Sequence, residues 1–397
     1  MNTSRKLKTG LCFLLFFKAF FCGAQPASEF RGVWIATIDH IDWPSKNNVM
    51  ADSQKAEFVR LLDYHQRNGI NAVVVQIRPS GDAFFPSNFE PWSEWLTGIQ
   101  GQPPFPYYDP LEFMLTETHK RKMVFHAWIN PYRAQFNIFN PNLSPTHITR
   151  IHPEWFITYG DKKYFDPGNK EVMNYINLVV RDIVKRYPID AIHFDDYFYP
   201  YKLPGQEFPD EASYRKYGKG LDKASWRRSN TDSIVSMIHQ TVKSTNPQCI
   251  FGVSPFGVWR GKDRDPQNGS NTHGTLTDYD DLYADVLLWL RKGWIDYVAP
   301  QLYWEFGHHR APFEVLLNWW DAHTYGKQCY IGLGAYKANC NAAWSDGTQL
   351  PRQIEALRTK KNIQGMIFFS SKSLENNLNG WADVLRLKYF KDAAALP

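Results

Sequence analysis

The segment IDAIHFDDYFYPY, from Ile189 to Tyr201, places two adjacent carboxylates directly after a short apolar run. Such a run is typical of a buried β-strand, whose side chains alternate between two faces. This alternation groups Asp195 with His193 on one face and Asp196 with Phe194 on the bulkier face. In a parallel barrel, the less bulky and more polar face points to the interior. We therefore expect Asp195 to point into a pocket and Asp196 to support it.

A third carboxylate, Glu305, lies in the segment PQLYWEF, where Gln301, Tyr303 and Glu305 share one face. Glycoside hydrolysis uses two carboxyl groups, one as the acid and the other as the nucleophile or base. The sequence predicts Asp195 as nucleophile or base, Glu305 as general acid and Asp196 as the residue that orients or tunes its neighbour. The structural alternatives are that each aspartate caps the following segment, and that Glu305 forms an ion pair at the rim.

Further polar and aromatic side chains follow the same strand ends or lie in the loops after them. Aromatic rings stack well on the apolar faces of sugars, and Arg and Asn side chains can hydrogen-bond hydroxyl or carboxylate groups. For any single ring, the alternative is that it holds a loop against the barrel. The predicted substrate-binding residues are Arg78, His126, Asn130, Arg133, His193, Tyr197, Tyr199, Gln301, Tyr303 and Trp304.

Metal-dependent hydrolysis or deacetylation is a weaker alternative, in which His126, His193 and Asp195 would converge on one ion. The sequence supplies few further ligands, because no HxH closes the first predicted strand and no inward His or Asp is expected on the fifth and eighth. The acidic segment from Asp263 to Asp281 lacks the spacing of a calcium-binding EF-hand loop. We therefore predict neither a metal site nor a cofactor.

The elements that must position these residues alternate regularly between apolar, β-rich runs and amphipathic helical stretches. Eight strand-then-helix repeats predict an α/β fold, namely a (β/α)8 TIM barrel. The predicted strands include Asn71 to Ile77, Met123 to Ile129 and, as the sixth, Ile295 to Tyr303, and the predicted helices include Asp278 to Lys292 and Leu374 to Tyr389. The long insertions follow strands, as from Arg78 to Asp109 and from Asn130 to Asn169, whereas the links from helix to strand are short. Strand-to-helix loops build the active-site face of such barrels. An open doubly wound sheet is the alternative fold, but no GxGxxG follows the first strand.

The first 24 residues have the pattern of a secretory signal peptide. Arg5, Lys6 and Lys8 precede the apolar run LCFLLFFKAFF, and Cys22-Gly23-Ala24 offers a small-residue cleavage site. We expect cleavage after Ala24 and one barrel domain over residues 25–397, secreted to the periplasm or cell envelope without stable membrane insertion. A lipid anchor at Cys22 is the alternative, although the preceding Phe21 is bulkier than lipid-attachment sites prefer.

The net charge of the chain indicates which classes of partner it can bind. The net charge of +5 includes the cations of the signal peptide, so the rest of the chain is close to neutral. No basic run or nucleic-acid motif is present, and a nucleic-acid partner is therefore not expected. The predicted partner is a polysaccharide.

Six motifs in order carry a family resemblance: FRGVWIATIDHIDWPS, NAVVVQIRPSGDAFFPS, HAWINPYR, HFDDYFYPY, SPFGVWR and APQLYWE. Together they resemble the glycosyl hydrolase-like 10 family of bacterial envelope proteins, from about Glu29 to about Gly334. The resemblance implies a TIM-barrel hydrolase acting on glycan strands, with peptidoglycan stripped of its peptides as substrate. A non-catalytic glycan-binding barrel is the alternative. Carried over by motif, the catalytic candidates are Asp195, Asp196 and Glu305, and the pocket residues are Arg78, Asn130, Tyr197 and Tyr303.

Overall fold

The computed structural model of the protein describes residues 25–397, so the predicted signal peptide lies outside the described residues. Eight parallel strands close into a barrel, which confirms the predicted (β/α)8 fold. A small three-stranded antiparallel sheet accompanies the barrel. The barrel strands are β1 (Phe30–Ile35), β2 (Ala72–Arg78), β3 (Val124–Ile129), β7 (Ala191–Phe194), β8 (Ile250–Val253), β9 (Tyr297–Val298), β10 (Gln328–Leu333) and β11 (Gly365–Phe368). The small sheet contains β4 (Arg133–Gln135), β5 (Phe156–Tyr159) and β6 (Lys162–Phe165).

Helices surround the barrel, and their buried faces pack on the outer faces of the strands. None of the helices within residues 25–397 is long and apolar enough to cross a membrane. The α-helices are α1 (Ala51–Arg67), α2 (Glu94–Thr97), α3 (Pro110–Lys120), α4 (Ile148–Ile151), α5 (Lys170–Arg186), α6 (Glu211–Tyr217), α7 (Lys223–Thr245), α8 (Asp278–Asp281), α9 (Val286–Lys292), α10 (Phe313–Ala322), α11 (Ala342–Ser345), α12 (Gln349–Arg358), α13 (Ser371–Glu375) and α14 (Trp381–Val384). Short 3-10 segments cover Ile38–His40, Pro153–Trp155, Ala335–Lys337 and Leu378–Gly380, and a π-helical turn covers Leu385–Tyr389.

The sixth barrel strand differs most from its predicted extent of Ile295 to Tyr303. Regular pairing is confined to β9, because Pro300 has no N–H to donate to a neighbouring strand. Beyond the proline the chain stays near both neighbours, since Gln301 bridges to Phe256 and to Gly332. The segment after β9 thus continues toward the rim without being a regular strand.

Two helices predicted as continuous are interrupted. The stretch Asp278 to Lys292 forms α8 and α9, separated by Tyr283 at a φ of 55°. The stretch Leu374 to Tyr389 is broken around Asn377 and Asn379, both at positive φ. Left-handed backbone conformations end a helix, and Asn adopts them at low cost.

The interior of the barrel contains a short hydrogen-bonded column rather than apolar side chains alone. The Tyr297 hydroxyl lies 2.9 Å from His126 Nδ1 and 2.7 Å from His193 Nδ1. Gly252 makes room for this tyrosine, because a Cβ at that position would lie 2.2 Å from the Tyr297 ring. His193 Nε2 lies 2.9 Å from the Ser254 hydroxyl, so the column ends at the mouth of the barrel.

Candidate active site

A cavity of about 480 Å³ opens at the C-terminal ends of the barrel strands, where TIM-barrel enzymes carry their active sites. Its walls combine aromatic rings with a few polar groups, and its only carboxylates within the described residues are Asp195 and Asp196. The lining comprises Trp34, Ala36, Ile38, Ile41, Gln76, Trp128, Arg133, Asp195, Asp196, Tyr197, Tyr201, Ser254, Phe256, Gln301, Tyr303, Trp304, Tyr336, Lys337 and Phe369. Seven of the residues predicted from sequence therefore meet here: Asp195, Asp196, Arg133, Tyr197, Gln301, Tyr303 and Trp304.

The two aspartates follow β7 directly and are 4% and 6% exposed. Burial raises the pKa of Asp195 well above its usual value, and the neighbouring Asp196 raises it further, while Arg133 acts in the opposite direction. Burial also raises the pKa of Asp196, and hydrogen bonds from Tyr201 and Gln301 lower it in part. Two carboxylates this close share their protons as one system, and the ionised form is best supported at Asp196.

Hydrogen bonds through uncharged side chains hold Arg133 and Asp195 beside one another. The amide nitrogen of Asn130 donates to Asp195, and its oxygen accepts from Gln76 Nε2 at 2.5 Å and from Arg133 Nη2 at 2.6 Å. Arg133 also donates to the Pro79 carbonyl at 2.8 Å and to the Tyr197 hydroxyl. Within residues 25–397 its guanidinium has no carboxylate within 4.0 Å, so its charge acts on the aspartate pair through space.

One oxygen of Asp195 and the indole N–H of Trp128 are buried side by side in the cavity wall. The Trp128 indole faces Asp195 and lowers its pKa. Neither Trp128 Nε1 nor Asp195 Oδ1, however, has a hydrogen-bond partner of normal geometry among the described residues. Buried polar atoms are nearly always paired, and exceptions concentrate where a ligand completes them.

Glu305 lies outside this cavity. Its Oε2 accepts a hydrogen bond from Trp344 Nε1 at 3.0 Å, and its carboxylate is not part of the cavity lining. The predicted alternation places Glu305 on the same face as Gln301 and Tyr303. It does not extend to Glu305, because the chain beyond Pro300 is not a regular strand. The expected role of Glu305 as general acid therefore has no geometric support.

Five other predicted binding residues lie behind the walls. Arg78 is fully buried and paired with Glu90 at 2.5 Å, and it also donates to the Asn130 carbonyl at 2.6 Å. Asn130 does not line the cavity either, but its amide nitrogen donates to Asp195, which does. His126 and His193 belong to the interior column around Tyr297. Tyr199 is buried, and its hydroxyl accepts from Asn230 at 3.1 Å.

Several cavity residues were not predicted as part of the site. Trp34 belongs to β1, and the alternation of that strand carries enough signal to place it in the barrel interior. Tyr336 and Lys337 belong to a 3-10 turn after β10, and Phe369 follows β11. No sequence motif marks Tyr336, Lys337 or Phe369, because these residues come near the rest of the cavity lining only when the strands close into a barrel.

A third buried carboxylate, Asp278, lies behind the pair and not in the cavity. Its Oδ1 accepts from the Phe256 backbone N–H at 3.0 Å, and its Oδ2 has no partner among the described residues. Burial raises its pKa well above the usual value, and the charge of Asp196 raises it further. Within residues 25–397 no group of three or more His, Cys, Asp or Glu residues is placed to hold a metal ion.

The fold and the site define a parallel (β/α)8 barrel with a buried carboxylate pair in an aromatic cavity. The chain belongs to the Glycosyl hydrolase-like 10 family, whose sequence profile matches residues 29–346. It is 47% identical over 385 residues to Glycosyl hydrolase YngK of Bacillus subtilis, covering 95% of this chain and 75% of the relative. It is 42% identical over 371 residues to Glycosyl hydrolase DigH of Escherichia coli K12, covering 87% of this chain and 83% of that one.

Solved structures share the fold at low sequence identity. The glycoside hydrolase domain of PgaB (BpsB) from Bordetella bronchiseptica matches with a TM-score of 0.57 at 15% identity, covering 92% of this chain and all of that domain. The catalytic domain of a beta-amylase from Paenibacillus polymyxa matches with a TM-score of 0.59 at 13% identity, covering 93% of this chain and 99% of that one. At these identities the likeness concerns the fold alone.

Proposed function

We propose that this protein is a secreted glycoside hydrolase that cleaves a bacterial glycan. The observation that carries the proposal is the coupled pair of Asp195 and Asp196 in an aromatic cavity at the active-site end of the barrel. Glycosidases need one carboxyl group protonated and one ionised, and a pair with raised pKa values retains the required proton.

The surroundings of the two aspartates differ and favour a division of roles. Asp195 has the more strongly raised pKa and an Oδ1 without a hydrogen-bond partner among the described residues, which suits a carboxyl group that keeps its proton. Asp196 accepts from Tyr201, which favours its ionised form. In the proposed step, Asp195 protonates the glycosidic oxygen as the bond to the sugar carbon breaks, and Asp196 stabilises the positive charge on the sugar. Water then adds to that carbon and returns a proton to Asp195.

This division departs from the expectation drawn from sequence, in which Asp195 is the nucleophile or base and Glu305 the acid. The reason is the position of Glu305, whose carboxylate is bound to Trp344 outside the cavity. In the present proposal Glu305 fixes the wall that carries Trp304 and plays no part in proton transfer.

For the substrate, we propose glycan strands of peptidoglycan from which the peptides have been removed. Lys337 lines the cavity and forms no ion pair with any described residue, so a cation is available to an anionic substituent of the sugar. Muramic acid units expose a free lactyl carboxylate only when no peptide is attached. The predicted signal peptide agrees with an enzyme of the cell envelope, and the two relatives described above are both named glycosyl hydrolases.

The substrate proposal is tested by incubating the protein with three polymers: denuded peptidoglycan strands, intact peptidoglycan and chitin. Released fragments are identified by mass spectrometry. We expect soluble fragments mainly from denuded strands. Binding to denuded strands without any release of fragments would favour a glycan-binding barrel instead. Equal release from intact peptidoglycan would remove the proposed preference for a free carboxylate.

A further inference from the structure

A second cavity of about 270 Å³ lies next to the catalytic cavity, and the linings of the two share Arg133, Tyr197 and Tyr201. The rest of this second cavity, here called the tyrosine groove, is lined by Tyr159, Asp161, Lys162, Tyr164, Pro200 and Leu203. Tyr201 marks the junction, since its ring lines both cavities while its hydroxyl donates to Asp196. The tyrosine groove therefore begins beside the carboxylate pair.

Two separate insertions build the tyrosine groove and are tied to each other. One wall belongs to the small sheet, through β5 and β6, and the other to the loop that follows β7. Tyr159 joins them: its hydroxyl accepts from the Leu203 backbone N–H at 2.8 Å and donates to the Gln206 carbonyl at 2.9 Å. Because these hydrogen bonds exist within the protein, the groove is formed before any ligand binds.

The chemistry of the tyrosine groove suits uncharged parts of a sugar chain. Apart from Arg133, which it shares with the catalytic cavity, its walls are aromatic and aliphatic, and the charges of Lys162 and Asp161 compensate each other in an ion pair at 2.7 Å. Tyr164 is half-buried, and its hydroxyl makes no hydrogen bond within the described residues. A tyrosine of this kind can present a ring face to a pyranose and a donor to its hydroxyl groups.

We propose that the tyrosine groove is a distal subsite for the glycan units beyond the scissile bond, so that the enzyme cleaves within a chain. This inference rests on the proposed function, because it places the same glycan across both cavities. The chain enters beside Tyr336 and Lys337, passes Asp195 and Asp196, and leaves past Tyr201 along Tyr164. Binding positions on both sides of the carboxylates suit the interior of a polymer, whereas a closed pocket admits only its end.

The test compares oligosaccharides of increasing length, prepared from denuded strands, in binding and in cleavage. Binding is measured by calorimetry in a D195N background, in which turnover is blocked. Tyr164→Ala removes the ring, Tyr164→Phe keeps it, and Tyr325→Ala is a control between α10 and β10 at the opposite end of the barrel. Thermal unfolding verifies that each variant is folded.

We expect Tyr164→Ala to weaken binding of long chains about three- to tenfold, the scale of one aromatic contact, and to leave a disaccharide nearly unaffected. Tyr164→Phe should retain most of the long-chain affinity, and Tyr325→Ala all of it. The first products that the wild-type protein releases from long strands should span many lengths.

Two outcomes overturn the inference in different ways. If the parent protein binds and cleaves the glycan but Tyr164→Ala leaves the length dependence unchanged, the tyrosine groove is not a subsite and the proposed function stands. If the parent protein neither binds nor cleaves any chain length, the proposed function fails and takes the subsite with it.

Discussion

At the scale of single residues, the protein turns two adjacent and similar aspartates into chemically different groups. Asp195 accepts a hydrogen bond from Asn130 at Oδ2 only, and its pKa is raised well above the usual value. Asp196 accepts from Tyr201, and hydrogen bonds from Tyr201 and Gln301 offset part of the increase in its pKa. Hydrogen bonds to an ionised carboxylate favour that form, whereas burial favours the neutral form. The local partners therefore determine which aspartate holds the proton.

Removing the Tyr201 hydroxyl tests this division of roles. In Tyr201→Phe, the ionised form of Asp196 loses a donor that lowers its pKa, so the pKa of Asp196 rises. If Asp196 must be ionised, activity appears only at higher pH, and the acidic limb of the pH profile of kcat/KM shifts upward. A profile lowered uniformly, with both limbs unmoved, would mean that Tyr201 contributes packing alone.

The residues found and missed from the sequence show what local patterns can reveal. Asp195 and Asp196 were found because the apolar run before them identifies a strand end. Glu305 was placed in the pocket by extending a regular alternation through Pro300, where the strand has already ended. Lys337 could not be found, because its position depends on how the barrel closes and not on its neighbours in sequence.

At the scale of elements, short irregular segments after the strands complete the cavity wall while the strands supply the frame. The 3-10 turn Ala335–Lys337 after β10 brings an aromatic ring and a cation to the cavity wall. Tyr336 is 47% exposed, and its ring packs edge-on against Tyr303 at 5.7 Å between centroids. Such a turn can vary in sequence without disturbing the barrel.

Lys337→Gln tests the function of this turn. We expect KM for denuded strands to rise about threefold or more, as for loss of a partly exposed ion pair, with kcat little changed. Cleavage or binding of chitin oligosaccharides, which carry no carboxylate, should be unaffected. Lys337→Arg, which keeps the charge, is the matched control. If affinity falls comparably for both substrates, Lys337 supports the cavity wall and does not bind a carboxylate of the substrate.

The element boundaries were largely predictable, whereas the irregularities were not. Strands such as β2 and β3 were predicted to within a residue or two, because each is a clear apolar run. The break between α8 and α9 was missed, because Tyr283 at positive φ carries no glycine or proline signal. The small sheet was missed because β4, β5 and β6 are short strands within a loop.

At the scale of the whole molecule, the end of the barrel that holds the cavity buries carboxyl groups whose ionisation opposes folding. Asp278 is fully buried behind Asp196, and its pKa is well above the usual value of 3.8. A carboxyl group whose pKa is raised by folding stabilises the native state only while protonated. That stabilisation is complete below the unfolded-state pKa and is lost as pH rises through the folded-state pKa.

Asp278→Asn should therefore raise the thermal unfolding temperature at neutral pH, with the gain shrinking toward pH 3. The asparagine oxygen can still accept from the Phe256 N–H, so the backbone contact is kept. Thermal unfolding of both proteins across this pH range checks the expectation. A variant that is less stable than wild type at neutral pH, or a gain independent of pH, would contradict it.

Catalysis by the aspartate pair is tested by measuring the release of soluble fragments from denuded glycan strands by three proteins at equal folded concentration: wild type, Asp195→Asn and Glu305→Gln. We expect release by wild type, a loss of about 10²- to 10⁴-fold in Asp195→Asn with binding retained, and a rate near wild type in Glu305→Gln. Near-normal release by Asp195→Asn, or loss of release in Glu305→Gln while binding and folding are retained, would contradict the assignment of catalysis to the aspartate pair.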